Sequence, residues 1–213
     1  MTNPIPIFIF SVGCLWMAGI RQPSQAATLY VNQSNSNPAA PYVTWATASQ
    51  TIQDAVDSAQ PGDEILVTNG IYATGGRVFH GALTNRVVID KTITVRSFQG
   101  PQSTIIRGGL ASGTTNGNDA IRCVYLRGAT LSGFMITGGA TLAWSTDDDD
   151  RSGGGVFGSG VVSNCVITGN SASHRGGGVF GCFVDNSEVI ENTACAPVLG
   201  MMTAMVEVRV ACL

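Results

Sequence analysis

Charge is scarce in this chain, and the motifs that announce most enzyme classes are missing. Only 12% of its 213 residues are Asp, Glu, Lys or Arg, and the formal net charge is -3. No basic patch is present, which argues against nucleic acid as a partner. The six cysteines include no C-x-x-C pair, so zinc-ribbon and thioredoxin-like readings fail. No Gly-x-Ser-x-Gly elbow occurs, because Gly158-Ser159-Gly160 has the wrong spacing. No glycine run ends in the Lys-Ser/Thr of a phosphate loop, so no nucleotide is expected. Convincing helical periodicity occurs once only. The low charge does not imply disorder, since 44% of residues are hydrophobic. Abundant Gly, Thr, Ser and Asn suit an extracellular β-rich protein.

What the chain does contain is a repeat. Gly153-Gly154-Gly155-Val156-Phe157-Gly158 returns 23 residues later as Gly176-Gly177-Gly178-Val179-Phe180-Gly181. Asn164 and Asn170 return 22 residues later as Asn186 and Asn192, so one residue is lost between the halves. A unit this short cannot bury its own apolar face, and copies must stack. Gly, Asn, Val, Ile and Phe without helical period favour turns and short strands. One turn of a parallel β-helix fits. Alternation points Cys165 and Ile167 inward and Val166 outward. Ser187 and Val189 take the inward places in the second copy, and Glu188 marks the solvent side. Asn170 and Asn192 stand where the chain turns, suited to a left-handed conformation. Stacked asparagines can also bond one another along the axis. The glycine runs let the next turn start without a Cβ clash.

The amino-terminal end carries an expected export signal. Ile5 to Ile20 is mostly apolar, and Ser24-Gln25-Ala26 offers small residues before a cut ahead of Ala27. The missing Lys or Arg before this run, and Arg21 after it, depart from the usual pattern. The run is short for a membrane span, is preceded directly by Pro4 and is interrupted by Pro6 and Gly13. A cleaved signal peptide over 1–26 is favoured over an uncleaved anchor. The expected location is extracellular or at the cell surface. Cys123, Cys165 and Cys182 then read as small buried apolar side chains.

Ala27–Val31 reads as a first strand and Asn32 to Pro41 as a polar loop. Within Trp45 to Gln60, Ile52, Ala55, Val56 and Ala59 share one helical face. Ser49 or Thr51 can cap this helix, and Pro61-Gly62 ends it. Being amphipathic and followed at once by strands, it is expected to cover the open end of the stack. Further strands are expected at Glu64–Thr68, Ile71-Tyr72, Arg86–Ile89, Thr92–Arg96, Thr104–Arg107, Ile121–Leu126 and Thr130–Thr137. Ile136-Thr137-Gly138 anticipates Ile167-Thr168-Gly169. The extra length between them is an inserted loop, Ala140 to Ser152, and such insertions gather on functional faces.

Ile52-Gln53-Asp54-Ala55-Val56, Pro61-Gly62-Asp63-Glu64-Ile65-Leu66-Val67 and Gly70-Ile71-Tyr72 together resemble the amino-terminal capping region of right-handed parallel β-helix proteins of the pectate-lyase-like superfamily. The Gly-Gly-Gly-Val and Asn-x-x-Ile-x-x-Asn-x-Ala units resemble secreted and surface β-helix repeat proteins of bacteria, including polymorphic outer-membrane proteins. The resemblance covers Ala27 to Ala194 and consists of scaffold parts. It implies an all-β, right-handed parallel β-helix over 27–194, with a capping α-helix near 50–60.

After Ala194 the pattern stops. Residues 195–213 hold three Met, no Asn and one Gly where a third glycine run is due. Reading Gly200 to Ala211 two nucleotides later permits an acidic run leading into glycines, like Asp148 to Gly155. The expectation is a frameshifted tail that truncates a longer stack, with a native apolar cap as the alternative.

No catalytic, cofactor-binding or metal-ligating residue can be assigned from the sequence. Asp147-Asp148-Asp149-Asp150 could hold calcium through oxygen ligands, but it lacks the spacing of an EF-hand loop, and a solvated acidic loop is preferred. Paired carboxylates would be needed for glycosidic hydrolysis. Asp63, Glu64, Asp90 and Asp119 are scattered, and surface solvation is preferred for them and for Lys91 and Arg122. His80 is isolated, and His174 reads as a turn residue. Trp144 is a better sugar-stacking candidate than Trp45, which is expected to pack against the cap helix. The leading expectation is an exported structural, adhesin-like or glycan-contacting scaffold, its partners extracellular polysaccharide or cell-surface components. The competing class is a polysaccharide lyase or glycoside hydrolase.

Overall fold

The computed structural model describes residues 26–195. The expected signal peptide and the divergent tail therefore lie outside the described residues, except for Ala26 and Cys195. The chain begins with β1 (Thr28–Val31) and, after a 3-10 turn at Trp45–Thr47, enters α1 (Ile52–Ser58). Strands β2 (Glu64–Val67) and β3 (Gly70–Tyr72) lead to a hairpin of β4 (Arg77–Val78) and β5 (Thr84–Ile89). Next come β6 (Thr94–Ser97), β7 (Thr104–Arg107), β8 (Ile121–Ser132) and β9 (Met135–Thr137). A second 3-10 turn at Asp148–Arg151 precedes β10 (Val156–Ser163), β11 (Val166–Thr168) and β12 (Ser171–Ala172). The last four are β13 (Val179–Phe180), β14 (Phe183–Asp185), β15 (Glu188–Ile190) and β16 (Thr193–Ala194).

These strands form stacked, mostly parallel sheets. The first follows the path β1-β2-β6-β8-β10-β13, with β5 on β8 and β14 on β10; the second runs β15-β11-β9-β7-β3; the third pairs β12 with β16. Strands of the first sheet feed those of the second: β2 into β3, β6 into β7, β8 into β9, β10 into β11. Among the described residues, β4 against β5 is the one antiparallel strand pair, beside a single antiparallel bridge between Gly109 and Ile121.

Register puts like on like. Leu29, Ile65, Val95, Leu131, Val162 and Val184 occupy one row across the first sheet. Tyr72, Ile106, Ile136, Ile167 and Val189 do the same across the second. Most of these belong to one continuous core. Each fully buried aliphatic side chain stabilises the fold by about 1.5–3 kcal/mol. No single short strand could bury such a row alone; the stacking does.

The ends of the first sheet differ. On the β1 side, Asn32 N–H donates to Ser49 O at 2.7 Å, and Ser49 N–H donates to Tyr30 O at 2.9 Å, so residues 42–49 satisfy that edge. α1 lies beside β5. Gln53 serves there as a surrogate strand: its Oε1 accepts from Val88 N at 2.8 Å and its Nε2 donates to Val88 O at 3.2 Å. Thr51 caps the helix by accepting from Asp54 N at 3.1 Å, and Ile52, Ala55, Val56 and Ala59 are buried beneath it.

The turns on both sides of the second-sheet strands β11 and β15 are built on asparagine, Asn164 and Asn186 before them and Asn170 and Asn192 after. Asn170 Nδ2 donates to Asn192 Oδ1 at 3.0 Å, and Asn186 Nδ2 donates to Asn164 Oδ1 at 2.6 Å, giving two axial ladders. The expected left-handed conformation lies elsewhere than at Asn170 and Asn192. Asn164 (φ 52) and Asn186 (φ 40) adopt it, as do Gly169 (φ 66) and Glu191 (φ 54), one residue before the expected positions. The preceding residue reverses the chain, which frees each asparagine side chain to point inward and bond carbonyls. The glycine runs are required by close approach: a Cβ on Gly154 would lie 2.1 Å from Ser171 O, and one on Gly177 2.1 Å from Thr193 O.

Other differences have local causes. β8 continues through Arg127 to Ala129, where a strand break was expected, because one extra residue is absorbed opposite Ser159 and Gly160. Trp45 lies in its own 3-10 turn, with its ring 4.4 Å from Tyr30 and 6.0 Å from Phe98. It therefore packs on outward aromatics at the sheet margin, where the expectation set it against α1.

Candidate functional site

Three excursions leave the stack, at residues 73–83, 108–120 and 138–155, and they pack on one another. Leu83, Ala111, Ala120, Ala140 and Leu142 form a second small core between them. Asn116 Oδ1 accepts from Thr141 N at 3.1 Å, and Asn116 Nδ2 donates to Ser171 Oγ at 2.9 Å. The insertion at Ala140 to Ser152 thus belongs to a larger knob. The sequence reading missed the other two parts because they carry no repeat to be interrupted.

Two arginines fasten this knob to the scaffold. Arg122, expected at the surface, is 2% exposed. It donates to Gly153 O at 3.0 Å, Ser152 O at 2.8 Å, Asn85 Oδ1 at 2.9 Å and the Asp149 carbonyl, and its guanidinium lies 4.6 Å from the Phe157 ring centroid. Burial pulls its pKa down to about 10, with the charges of Asp150 and Asp149 opposing, so it is charged at neutral pH. Arg86 similarly donates to Arg107 O at 2.8 Å, Gly108 O at 3.2 Å and the Gly75 carbonyl. The fork geometry of guanidinium suits several carbonyls at once.

The acidic run is divided by environment. Asp150 corrects the reading of a solvated loop, being 3% exposed. Its Oδ1 accepts from Ala82 N at 3.0 Å and Leu83 N at 3.1 Å, and its Oδ2 accepts from Ser145 Oγ at 3.2 Å. It clamps the excursion at 73–83. Gly81 makes room, since a Cβ there would lie 2.2 Å from Asp150 Oδ1. Asp148 pairs with Arg151, whose guanidinium holds the carboxyl below its ordinary pKa. Asp147 caps the 3-10 turn, its Oδ1 accepting from Asp149 N at 2.9 Å. Its other oxygen, Oδ2, lies 3.2 Å from His80 Nε2, and Asp149 Oδ2 lies 3.7 Å from the same nitrogen. His80, isolated in sequence, is thereby joined to two members of the run. His174 is largely buried, with Nδ1 3.6 Å from Asp148 Oδ1.

The remaining candidate acids and bases, except Asp90, hold the scaffold. Asp63 is buried and accepts from Ala27 N at 2.8 Å and Gln60 N at 2.7 Å. Glu64 pairs with Arg96 at 2.5 Å. Asp119 accepts from Ser112 Oγ at 2.5 Å and from Ser112 N, and these bonds lower its pKa. Lys91, also expected to be merely solvated, donates to Val56 O, Asp57 O and Ala59 O at 2.8 Å each, closing the carboxyl end of α1. Asp90 is exposed in the turn after β5. A cavity of about 210 Å³ lies between the start of α1 and residues 74–76, lined by Gln33, Gln50, Asp54, Tyr72 and Arg86 among others.

Aromatic residues mark the outer face of the first sheet. Phe79, Tyr125, Phe157 and Phe180 follow one another with centroids 5.0, 5.8 and 5.7 Å apart. Phe157 and Phe180 stack with 13° between their ring planes, and the other two pairs are tilted. Trp144, by contrast, is 76% exposed on the knob. Cys123 and Cys165 are buried as expected, and desolvation raises their thiol pKa values to about 12 and about 11; Cys182, expected to be buried with them, is half-buried against the core. Comparisons with known protein families, with curated proteins and with solved structures each found no match.

Proposed function

We propose that this chain is an exported scaffold: a right-handed parallel β-helix, with α1 as its amino-terminal cap, that contacts extracellular glycans or cell-surface components without turning them over. The observation that carries this reading is the self-packed knob on a repetitive stack, with Trp144 76% exposed on it. Indole faces suit the apolar faces of sugar rings. In-register parallel strands, each first-sheet strand leading into a second-sheet strand, support the β-helix. The edge-covering role of Gln53 and residues 42–49 supports the cap. Export rests on the apolar run from Ile5 to Ile20 and on the low charge of the chain.

The catalytic alternative, a polysaccharide lyase or glycoside hydrolase, draws less support. Asp63, Glu64 and Asp119 are each committed to a structural bond. Affinity electrophoresis through gels containing single polysaccharides tests the proposal. Retardation by at least one polysaccharide, reduced for Trp144→Ala, is the expected result. No retardation in any gel removes the glycan-contacting reading. Reproducible release of unsaturated product or reducing ends from a retained polysaccharide replaces the scaffold with an enzyme. Mass spectrometry of exported protein should find Ala27 at its amino terminus.

A further inference from the structure

We infer that His80, Asp147 and Asp149 bind a divalent first-row transition ion of the zinc or nickel kind, stapling the hairpin excursion at 73–83 to the one at 138–155. Their ligand atoms lie within 4.8 Å of one another. An ion held about 2.0–2.2 Å from each donor in tetrahedral array needs donors about 3.3–3.6 Å apart. The observed separations from His80 Nε2, 3.2 and 3.7 Å, bracket that range.

The donor set selects the ion. Four consecutive aspartates suggest calcium, which takes six to eight oxygen ligands. The fold withdraws two of the four, burying Asp150 against the amides of Ala82 and Leu83 and pairing Asp148 with Arg151. It then adds an imidazole nitrogen. One nitrogen and two carboxylate oxygens suit zinc or nickel and disfavour calcium and magnesium. Among the described residues, no Lys or Arg forms an ion pair with Asp147 or Asp149.

The site is also supported from behind. Asp150 fixes the backbone two and three residues beyond His80, and Asp149 N–H holds Asp147 Oδ1 so that Oδ2 faces the histidine. Such outer contacts orient ligands and strengthen binding. The three side chains stay 38–53% exposed, leaving room for water to complete the coordination shell.

The test uses untagged protein stripped with a chelator that is then removed. Isothermal titration with Zn²⁺ should give one saturable site, and Co²⁺ should give a visible absorption band. His80→Ala and Asp149→Asn should each weaken Zn²⁺ binding about tenfold or more. Asp148→Asn should leave it unchanged, and Ca²⁺ should not compete at equal concentration. Hydrogen exchange adds a readout on the wild-type chain, since Zn²⁺ should slow the amides of Phe79 to Ala82. The inference is overturned by the lack of a saturable site, by a His80→Ala variant that binds as wild type, or by equal competition from Ca²⁺. Any of these outcomes would leave a histidine–carboxylate ion pair as the sole content of the cluster.

Discussion

Replacing Asn170 should cost more than any other single asparagine change in the stack. The residue is 2% exposed. Its Nδ2 donates to Ile136 O at 2.9 Å, Thr168 O at 3.1 Å and Asn192 Oδ1 at 3.0 Å, while its Oδ1 accepts from Gly139 N at 2.8 Å. Alanine leaves the Gly139 N–H without a partner in a dry site, which costs about 1–3 kcal/mol. Weakening of the carbonyls adds roughly 0.5–1 kcal/mol each, for a total of about 3 kcal/mol. Asn192 makes the same kind of bonds in the last described circuit but is only half-buried. There water can replace the lost partners, so Asn192→Ala should cost about 1 kcal/mol. Asn170→Asp keeps the volume but sets a carboxylate oxygen against two carbonyls. It should destabilise at least as much as alanine at neutral pH. The loss should shrink as the pH falls and the carboxyl becomes a donor. Urea unfolding followed by circular dichroism measures all three. Asn170→Ala within about 0.5 kcal/mol of wild type, or no milder effect at Asn192, would refute the ladder as a source of stability.

Three further outcomes are expected. Desolvation raises the thiols of Cys123 to about 12, Cys165 to about 11 and Cys182 to about 12. The folded state therefore holds these protons when the unfolded chain has released them, so stability should fall as pH rises past the ordinary thiol value near 9 and on toward 12. Thermal melts from pH 7 to 10.5 check this, and a flat profile would oppose it. Gly81→Ala must drive a methyl into Asp150 from a backbone at φ +63, costing about 1–3 kcal/mol and speeding hydrogen exchange at Ala82 and Leu83. Unchanged exchange there would dissolve the clamp. Arg122→Met strips donors from three carbonyls and removes the charge facing Asp150, for a loss of about 3–5 kcal/mol, with Arg122→Lys recovering only part because it lacks the fork. Equal stability of the Lys variant and wild type would mean that charge alone matters.

Legibility followed periodicity. The stacking rows could be read because one coil repeats another, so that Cys165 and Ile167 predicted inward places for Ser187, which is buried, and for Val189, which is half-buried in the last described circuit. α1 could be read because four apolar residues fell on one face and Thr51 stood at its start. The knob was mostly illegible. His80 meets Asp147 across 67 positions with no shared pattern, and Asp150 became a buried clamp because of amides at Ala82 and Leu83. Local sequence reports the solvent preference of a side chain. It does not report which backbone amides tertiary folding will bring to it. Lys91 and Arg122 were misread as solvated for the same reason, since their partners are carbonyls, which every residue carries.

Finally, the shift opposite Ser159 and Gly160 sets a mechanical property of the fold. Val156 faces Val124 and Val179 on one side of that point, and Val161 faces Thr130 and Phe183 on the other, although the intervening lengths differ in β8, in β10 and in the segment from β13 to β14. A residue gained or lost at this corner is therefore forgotten within one or two positions and transmits nothing to the next strand. Such a corner behaves as an expansion joint. Length can change there, and whole loops can be grafted beside it, while the rows of side chains on either side keep their alignment.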